Sequence, residues 1–593
     1  MTVTWHPDAA AHAASPDGLC IVWGAVRNGS RLPGVGSAAL PAAGTPSPAL
    51  SAGDVLAALG GERSIGSAVS TLRGPFALIH VDARSGRVVL AVDRFSMETL
   101  CYSATGTHLG ISNRADSVPL ARQVVAPQAL FDYLHFHCLP APGTVFDSVQ
   151  RLVRGTYLLV DNGTLRCESH WQPQFASRAP ASLPQLCAEF RSLVEAAVRQ
   201  EAERASSIGC FLSGGTDSST VAGMLARATS RVRTYSIGFD AEGYDEMSYA
   251  RIAARHFGTD HHEYYVTPAD VTAAIPALAA VCDQPFGNSS LVPTYYCAKL
   301  ARDDGVAHML AGDGGDELFG GNTRYGLQLL LDLYGRMPRG LRERIVDPMA
   351  DWPASARIPG MRHLKAYANL ARVPMPDRME KFNLLDRMGT ANILHPDFLA
   401  AIDESAPLAA RRRIYAETTA AQTLDRMLHY DWKYTLADSD LPKVRTATLA
   451  AGTTVGYPFL ADEIADFSLR IPSHWKIRGF RLRWFFKYAL RGFLPTAILR
   501  KKKHGFGLPF GAWALKHAPL RALAADSLAG LEQRRILRPR FGDELLGVLL
   551  PSHPRYYGEL VWILMMLEQW LHAHHRDERI GSRPVPHGAG TLA

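Results

Sequence analysis

The seven residues S-G-G-T-D-S-S at positions 213–219 decide the fold. An apolar run at 208–212 precedes them and predicts a buried strand, and the residues from Thr220 onward predict a helix. Between a strand and a helix, glycines let the backbone approach an anion. Free N–H groups and the positive end of the helix dipole then face that anion. The stretch therefore predicts a phosphate-binding loop.

Asp217 distinguishes this loop from a simple anion site. A carboxylate beside a phosphate is explained if a divalent metal bridges it to a pyrophosphate. An ordinary turn of small residues is the alternative, and the strand–loop–helix context favours nucleotide chemistry. The loop G-x-x-x-x-G-K-[ST] of kinases and GTPases occurs nowhere in the chain. The pattern resembles instead the loop of ATP pyrophosphatases, which cleave ATP between the α and β phosphates and adenylate a substrate.

The segments around the loop alternate between apolar strands and helical patterns. This alternation predicts a parallel sheet with helices on both faces, whose ligands lie at the carboxyl ends of the strands. Beyond residue 325 the pattern is mostly helical and ends near 573. The other predicted strands of this region are 233–239, 262–266 and 306–310, and the predicted helices are 185–204, 244–257, 268–281 and 292–304.

A second motif, A-G-D-G-G-D-E-L-F-G-G at 311–321, follows another predicted strand. Its acids Asp313, Asp316 and Glu317 are costly to pack without a cation or a role in proton transfer. One of them can ligate magnesium together with Asp217, while another acts as a base. A solvated acidic turn is the alternative for this motif alone. Because both motifs end predicted parallel strands, we expect their acids to lie close together.

The N-terminal part, residues 1–175, is predicted to be rich in β-structure. Short β-prone runs at 76–81 and 88–92 are joined by a polar turn. Residues 157–167 predict a hairpin with an Asn-Gly turn. The Pro-, Ala- and Ser-rich residues 173–184 predict a linker.

Composition narrows the class of protein. The 593 residues carry a net charge of +7, with 47% apolar and 20% charged residues, which is typical of a globular protein of two or three domains. This charge does not require a nucleic-acid partner. The sequence predicts no membrane span and no secretory signal. The eight cysteines form no C-x-x-C pair, so we expect neither zinc nor disulfides, and a cytoplasmic location.

The strongest basic run is R-K-K-K-H at 500–504. It has two interpretations, a solvated surface turn or a neighbour of the anion site, since G-F-G follows it directly. The sequence alone leaves both open.

The two motifs together resemble the signature pair of the asparagine synthetase family, and the resemblance covers nearly the whole chain. D-R-F followed by L-C-Y near residue 93 is similar in outline to the glutaminase domain of that family. Other segments that match its motifs are Y-D-E-x-x-Y-A at 244–250, Y-P-F-L at 457–460, K-x-x-L-R at 487–491 and K-x-G-F-x-x-P at 503–509.

The resemblance implies an α/β fold class. An N-terminal Ntn-hydrolase-like αββα domain would precede a PP-loop domain of the adenine-nucleotide α-hydrolase type, with a parallel sheet and a helical C-terminal part. The implied units are a degenerate glutaminase domain at 1–175, a linker at 176–184, an ATP-pyrophosphatase synthetase domain at 185–575 and a disordered tail at 576–593.

The resemblance also implies ATP and Mg²⁺. Asp217 and Asp316 would ligate the metal, and Asp313 would lie beside the α-phosphate and the acyl group. Lys487 would neutralise charge that grows on the α-phosphate during the reaction. The nucleotide would be held by Leu212, Ser213, Gly214, Gly215, Asp217, Ser218, Ser219, Ser236, Ile237, Gly238, Gly312 and Asp313.

Two departures from the family pattern concern the amine and the acceptor. Glutamine-using members begin Met-Cys-Gly, whereas Thr2 and Val3 stand here, so we expect a glutaminase without activity. In the acceptor region, Thr454 and Gly456 stand where glutamate and arginine are usual, and Ala461 replaces an aspartate. These losses argue against the usual small polar acceptor.

A kept ATP site with an altered acceptor region is similar to the amide-forming branch that includes lasso-peptide cyclases and β-lactam synthetases. The first hypothesis is therefore macrolactam closure of a lasso precursor peptide, with that peptide and a leader-peptide-processing protein as partners. The second is a synthetase that couples aspartate or another small or sugar acid to ammonia. The third is a non-catalytic relative that binds nucleotide.

Overall fold

The computed structural model describes most of the chain. The predicted tail lies, apart from its first residue, outside the described residues, as do residues 502–504 of the basic run and the two residues after it. The described residues are 2–5, 11–15, 18–28, 50–59, 65–119, 121, 123–241, 243–352, 359–381, 383–501 and 507–576.

The N-terminal part contains two stacked sheets. One has the strand order β12-β11-β7-β6-β3-β2 and the other has the order β1-β9-β8-β10, while β4 pairs with β5. The strands are β1 (Thr2–Trp5), β2 (Ala11–Ser15), β3 (Gly18–Gly24), β4 (Arg27–Asn28), β5 (Leu72–Arg73), β6 (Phe76–Asp82), β7 (Val88–Val92), β8 (Cys101–Thr105), β9 (His108–Ser112), β10 (Gln150–Arg151), β11 (Thr156–Asp161) and β12 (Thr164–Ser169), and the helices are α1 (Ala52–Leu59), α2 (Ile65–Thr71) and α3 (Pro127–Phe136).

Alternating side chains explain this layering. On β6, Leu78 packs with α1 and α2, whereas Ala77 and Ile79 face the other sheet. Cys101 of β8 joins the cluster that contains α3. The predicted αββα order is therefore confirmed. The predicted hairpin is confirmed too, because Asn162 has φ +50° and Gly163 has φ +78°, as a tight Asn-Gly turn requires.

The C-terminal part is built on five parallel strands in the order β15-β14-β13-β16-β17. The predicted strand at 233–239 is confirmed residue for residue. The ends of the other three predicted strands of this sheet differ from the observed ends by two residues at most. The strand β17 was not predicted, because three residues are too few to show a β pattern. These strands are β13 (Ile208–Phe211), β14 (Arg233–Phe239), β15 (Asp260–Val266), β16 (His308–Leu310) and β17 (Thr454–Gly456).

Helices cover both faces of this sheet, as predicted. Tyr235 and Ile237 of β14 belong to the hydrophobic cluster with α7 and α8, whereas Cys210 and Leu310 belong to the cluster with α4 and α5. The helix predicted from Thr220 begins four residues earlier, directly after the glycines of the loop. The helices that cover the sheet or end the second motif are α4 (Leu183–Glu203), α5 (Thr216–Ala228), α6 (Met247–Phe257), α7 (Pro268–Val281), α8 (Leu291–Asp303) and α9 (Gly315–Phe319).

The rest of the chain is helical, as predicted, apart from β17. Its helices are α10 (Thr323–Arg336), α11 (Arg339–Leu341), α12 (Asp347–Asp351), α13 (Pro359–Ala371), α14 (Leu384–Met388), α15 (Pro396–Leu399), α16 (Ala406–Ala416), α17 (Thr423–Asp431), α18 (Leu441–Ala451), α19 (Asp462–Arg470), α20 (Ser473–Lys476), α21 (Trp484–Ala489), α22 (Thr496–Arg500), α23 (Phe510–Lys516), α24 (Ala518–Gln533), α25 (Phe541–Glu544), α26 (Leu550–Ser552) and α27 (Pro554–His574).

The N-terminal and C-terminal parts pack directly against each other. The Tyr133 hydroxyl of α3 donates to the Ile563 carbonyl of α27 at 2.9 Å. Arg94 forms a buried ion pair with Asp462 at 2.9 Å. The domain boundaries stay predictions, but these two parts share one hydrophobic core. No helix in the described part of the chain combines the length and apolar character that crossing a membrane would need.

Candidate active site

The two motifs meet at the carboxyl ends of neighbouring strands. The strands β13 and β16 pair in parallel up to Cys210 and Leu310, so both chains leave the sheet at the same edge. The approach is so close that a Cβ atom at Gly312 would lie 2.8 Å from the Ser218 nitrogen and 3.0 Å from Asp217 Cβ. A side chain at position 312 would therefore push the second motif away from the loop.

The loop also needs glycine at position 214. Gly214 has φ +66°, and a Cβ there would lie 2.4 Å from the Ala250 nitrogen. The Ser218 hydroxyl accepts from the Ser213 nitrogen at 3.2 Å, which closes the loop onto the first turn of α5. The sequence thus folds into a tight turn that presents the N-terminus of α5, where an anion is stabilised.

Asp217 and Asp316 converge on one guanidinium. Arg483 donates to both oxygens of Asp217, each at 2.6 Å, and also forms an ion pair with Asp316. All three side chains are largely buried, since between 7% and 19% of each is exposed. The predicted proximity of the two acids is therefore what the structure shows. The cation between them, Arg483, was not identified from the sequence.

The position of Arg483 depends on tertiary structure. The residue has φ +55° and precedes the first residue of α21. It lies four residues before Lys487, so both project from the start of one helix. A basic residue at this spacing from the K-x-x-L-R segment was the only available signal.

A divalent cation is compatible with this donor set. Two carboxylates already share a cation, and Mg²⁺ is commonly bound by one or two carboxylates together with substrate phosphates and water. Among the described residues, no group of three or more His, Cys, Asp or Glu side chains forms a metal site by itself. The residues thus fit a magnesium ion that arrives with a phosphate ligand.

Lys487 lies beside this cluster. Burial and the neighbouring Arg483 charge lower the pKa of its ammonium below the ordinary value for lysine. Both effects disfavour a positive charge at this position when no anion is bound. An incoming phosphate would relieve the repulsion, so Lys487 is prepared for an anionic ligand.

Both motifs line one cavity of about 1670 Å³. Three of the predicted residues lie outside its wall. Ser219 is fully buried, because it points to the opposite face of α5 from Asp217, and Gly238 packs against the ring of Tyr265, so that a Cβ would lie 2.6 Å from it. The third is Gly214, which shapes the loop from behind. The predicted residues that line the cavity are Leu212, Ser213, Gly215, Asp217, Ser218, Ser236, Ile237, Gly312, Asp313, Asp316 and Lys487.

A second group of charges lies on another wall of the cavity. Lys443 binds Asp440 at 2.9 Å and lies 3.9 Å from Asp313. Burial raises the carboxyl pKa of Asp313 to about 6 and that of Glu317 to about 8. Although burial lowers the pKa of Lys443, the carboxylates of Asp440 and Asp313 raise it above its ordinary value. This wall combines three acids with one ammonium and suits a positively charged or amine-bearing ligand.

The start of the basic run lies in the cavity wall. Arg500 and Lys501 line it, and Lys501 donates to the Ser213 carbonyl at 3.3 Å. Lys501 also pairs with Glu246 at 3.0 Å. For these two residues, the interpretation as a neighbour of the predicted anion site agrees with the structure.

The N-terminal part shows no nucleophile of the amidotransferase kind among its described residues. The nitrogen of Thr2 donates to the Thr107 carbonyl at 2.8 Å within a strand, and its side chain is exposed. Burial raises the thiol pKa of Cys20, Cys101 and Cys138 to about 12 in each case, which removes the thiolate that attack requires. Cys167 of β12 is exposed, but partial desolvation of its sulfur raises its thiol pKa as well.

In the segment with the altered residues, Gly456 has no room for a side chain, and neither Thr454 nor Gly456 lines the cavity. A Cβ there would lie 2.6 Å from Glu201 Oε2 and 2.8 Å from His308 Nε2. His308 itself contacts the Thr454 hydroxyl at 2.7 Å. Glu201 and His308 therefore fill the space that a side chain at position 456 would need.

Comparison with known proteins identifies the family. The model of the family "Asparagine synthase" matches residues 189–572, and that of "Glutamine amidotransferase domain" matches residues 43–171. "Asparagine synthetase [glutamine-hydrolyzing] 1" of Bacillus subtilis is 24% identical over 75% of this chain and 69% of that protein. "Putative asparagine synthetase [glutamine-hydrolyzing]" of Mycobacterium bovis is 28% identical over 78% and 71%. "Amidase chyE" of Penicillium rubens is 24% identical over 52% and 46%. With one family model covering more than half of its length, the chain belongs to the asparagine synthase family.

Proposed function

We propose that this chain is an ATP-dependent, amide-bond-forming synthetase. It adenylates a carboxylate, couples it to an amine, and releases AMP and pyrophosphate. The observation that carries the proposal is the convergence of Asp217 and Asp316 on one guanidinium beside Lys487 in the wall of a large cavity. Two carboxylates, a lysine and the N-terminus of α5 are the groups needed to hold and polarise a triphosphate.

Asp217 and Asp316 would hold Mg²⁺. When bound, that ion would neutralise charge on the departing pyrophosphate. The loop at 213–218 would contribute backbone N–H groups and the dipole of α5 to the same phosphates. Arg500 and Lys501 also line the cavity and would add positive charge near the loop.

The first chemical step forms the acyl-adenylate. An oxygen of the acceptor carboxylate bonds to the α-phosphorus, the bond from that phosphorus to the bridging oxygen breaks, and pyrophosphate leaves. The ammonium of Lys487, which lines the cavity, would stabilise the negative charge that grows on the α-phosphate. The helix dipole at the loop favours the same charge distribution.

The second step forms the amide. The amine nitrogen bonds to the acyl carbon, the bond from that carbon to the AMP oxygen breaks, and AMP leaves. The proton of the nitrogen passes to the carboxylate of Asp313. With a pKa of about 6, this group is ionised at neutral pH and is a stronger base than an ordinary aspartate. Lys443 and Asp440 hold it in the cavity wall.

The reaction class is tested by product analysis. Purified protein is incubated with ATP, Mg²⁺ and a panel of carboxylate and amine acceptors, and the nucleotide products are separated. We expect AMP and pyrophosphate in equal amounts. Formation of ADP and phosphate would contradict adenylation, and the absence of turnover with every acceptor would favour a non-catalytic nucleotide-binding protein.

We further propose that the N-terminal domain does not hydrolyse glutamine. The proposal is supported by Thr2, whose nitrogen is engaged in a strand, and by the buried thiols. Thr2→Ala should leave synthetase turnover unchanged within about twofold, because this residue does not reach the cavity. Release of glutamate from glutamine by the wild-type protein, lost in Thr2→Ala, would contradict the proposal.

For the acceptor, we propose macrolactam closure of a lasso precursor peptide. The cavity of about 1670 Å³ is larger than the roughly 300–1,000 Å³ usual for a small-molecule pocket, which leaves room for a peptide beside ATP. The carboxylates of Asp313 and Asp440 in this wall would attract the peptide's own N-terminal amine. Holding amine and acyl-adenylate in one molecule supplies a high effective molarity. A leader-peptide-processing protein would be required to expose that amine.

Coupling of a small acid to ammonia is the second candidate, and the names of the relatives favour it. Two parallel incubations distinguish the candidates. One contains a short peptide encoded beside this gene and its processing protein, and the other contains aspartate with ammonium. A peptide product lighter by one water, formed together with AMP, supports macrolactam closure, whereas asparagine formation supports the second candidate.

A further inference from the structure

The exposed apolar side chains of this chain are concentrated in one segment. Among the described residues, thirteen large hydrophobic side chains are exposed, and seven of them lie between positions 327 and 352. A monomeric protein scatters such residues singly, and a contiguous group marks an interaction surface. The seven residues are Leu327, Leu330, Leu333, Leu341, Ile345, Met349 and Trp352, which we call the apolar stripe residues.

These residues follow helical spacing. On α10 they are three residues apart, and along α11 and α12, joined by a π-helical turn at Arg342–Val346, they are three or four apart. Such spacing places them on one face of each helix. The opposite face of α10 is the buried one and carries Tyr325 and Leu331. The outward faces of these helices are therefore apolar. Packing against the rest of the molecule does not explain this, because the opposite face of α10 makes that packing.

The helices that carry the stripes are tied together from within. Tyr334 packs with Ala350 and Ala368 in a small core, and its hydroxyl donates to Asp347. Arg372 of the loop after α13 binds Asp347 and Asp351, at 2.8 Å each. The small core does not contain the apolar stripe residues, so their exposure is a property of the surface and not of a missing core.

The charge of this segment is strongly positive. Residues 323–372 carry nine Lys and Arg against four Asp and Glu, a net charge of +5, while the whole chain carries +7. Arg336, Arg339 and Arg344 are exposed, and within the described residues they form no ion pair. Along the sequence, these exposed arginines therefore lie among the apolar stripe residues.

We propose that α10–α12 form a docking surface for an anionic lipid membrane. Leucine, isoleucine, methionine and tryptophan side chains fringed by arginines are the combination with which interfacial helices enter the headgroup region. Each arginine near such a surface adds attraction to anionic lipid, which salt weakens. A neutral protein partner would leave the arginines without partners. Charge complementarity therefore selects the anionic membrane among the possible occupants of this surface.

The docking surface adjoins the cavity of the candidate active site. A Cβ at Gly326, in the first turn of α10, would lie 3.6 Å from Leu482, which lines the cavity. Phe480 lines the cavity as well and is 54% exposed. A protein docked through α10–α12 would thus keep its cavity close to the lipid surface, where an amphiphilic acceptor is concentrated. The docking proposal itself does not depend on the reaction.

Vesicle co-sedimentation tests the proposal with the full-length protein. Vesicles of phosphatidylglycerol and phosphatidylcholine are compared with vesicles of phosphatidylcholine alone, at low and at high salt. We expect binding to the anionic vesicles that falls by about tenfold or more when the salt is raised or the anionic lipid is omitted.

Three variants locate the surface. Ile345→Gln/Met349→Gln/Trp352→Gln removes apolar contacts, and Arg339→Glu/Arg344→Glu reverses the fringe charge. Both should reduce vesicle binding by about tenfold or more. The control Leu449→Gln/Val548→Gln changes two apolar residues elsewhere that are more exposed than these three, and it should bind as the wild type does. Equal thermal melting of all variants establishes that they are folded.

Three outcomes would overturn the proposal. Absence of binding to anionic vesicles is the first, and equal loss of binding in the control variant is the second. The third is a dimer, detected by light scattering, that the apolar variant dissociates while vesicle binding stays unchanged. That result would assign the surface to a second copy of the chain.

Discussion

The two charged walls of the cavity differ in how their residues are distributed along the sequence. The phosphate wall comes from two short motifs at the ends of β13 and β16, and its carboxylates meet at one guanidinium. The acceptor wall joins Asp313 to Asp440 and Lys443, which come from the distant start of α18. The sheet fixes the first wall, whereas helix packing fixes the second. Residues of the second wall can therefore differ between relatives while the first wall is kept.

Loss of a phosphate-wall carboxylate should have the largest effect. Asp217→Asn keeps the size of the side chain but removes the charge that would hold Mg²⁺, so we expect turnover to fall by roughly a thousandfold. Pyrophosphate release under saturating ATP measures it. The matched control is Asp303→Asn, an exposed acid on α8, which should behave as the wild type. If Asp217→Asn keeps turnover within tenfold of the wild-type value, Asp217 is not required for the reaction.

Lys487→Ala tests the charge near the α-phosphate. Because the ammonium matters most in the transition state, we expect kcat to fall by about a hundredfold or more while the KM for ATP changes little. Steady-state kinetics separate the two parameters. Lys299→Ala, which removes an exposed lysine paired with Asp303, is the control. A change confined to KM would reassign Lys487 to ground-state binding.

The sequence predicted the phosphate wall because its determinants are local. A strand, two glycines and a helix start lie within a dozen residues, and the order of parallel strands brings the second motif beside the first. The same logic predicted that Asp217 and Asp316 lie close together. It could not show that Ser219 faces away from the cavity, because that depends on where α5 begins.

The remaining features depend on contacts between distant segments. Arg483 reaches the strand ends from a loop with a left-handed backbone, and no spacing in the sequence specifies that approach. Asp440 ends a π-helical stretch at Trp432–Asp440, where the helical period that pattern analysis relies on is altered. The strand β17 is three residues long and lies inside a helical region. Each of these is set by tertiary packing and leaves little trace in the local pattern.

The acceptor wall is tested by the pH dependence of turnover. The pKa of Asp313 is raised to about 6 by burial, so the carboxylate that we propose as the proton acceptor is lost as the pH falls through 6. We expect kcat to rise with pH and to level off above 7. Asp313→Asn should lower the plateau value of kcat by about a hundredfold and abolish the rise of kcat with pH. If kcat of Asp313→Asn still rises with pH as in the wild type, another group causes the pH dependence.

Arg483→Met gives the smallest of the expected effects, which is a change in thermal stability. The guanidinium neutralises Asp217 and Asp316 before a ligand arrives, so its removal leaves two buried carboxylates facing each other. We expect the variant to melt a few degrees lower than the wild type in chelator. Mg²⁺ should restore this loss, because a bound cation can replace the missing charge.

The shift in melting temperature with Mg²⁺, measured without nucleotide, therefore distinguishes two roles of Arg483. If the arginine is a resident cation that the metal replaces, Mg²⁺ raises the melting temperature of Arg483→Met more than that of the wild type. If the arginine is only a packing residue, the variant is destabilised equally with and without Mg²⁺. Arg491→Met, which removes a cavity-lining arginine that stacks on Tyr488, controls for the loss of a charge near the same wall. It should show no gain in response to Mg²⁺, because it contacts neither carboxylate.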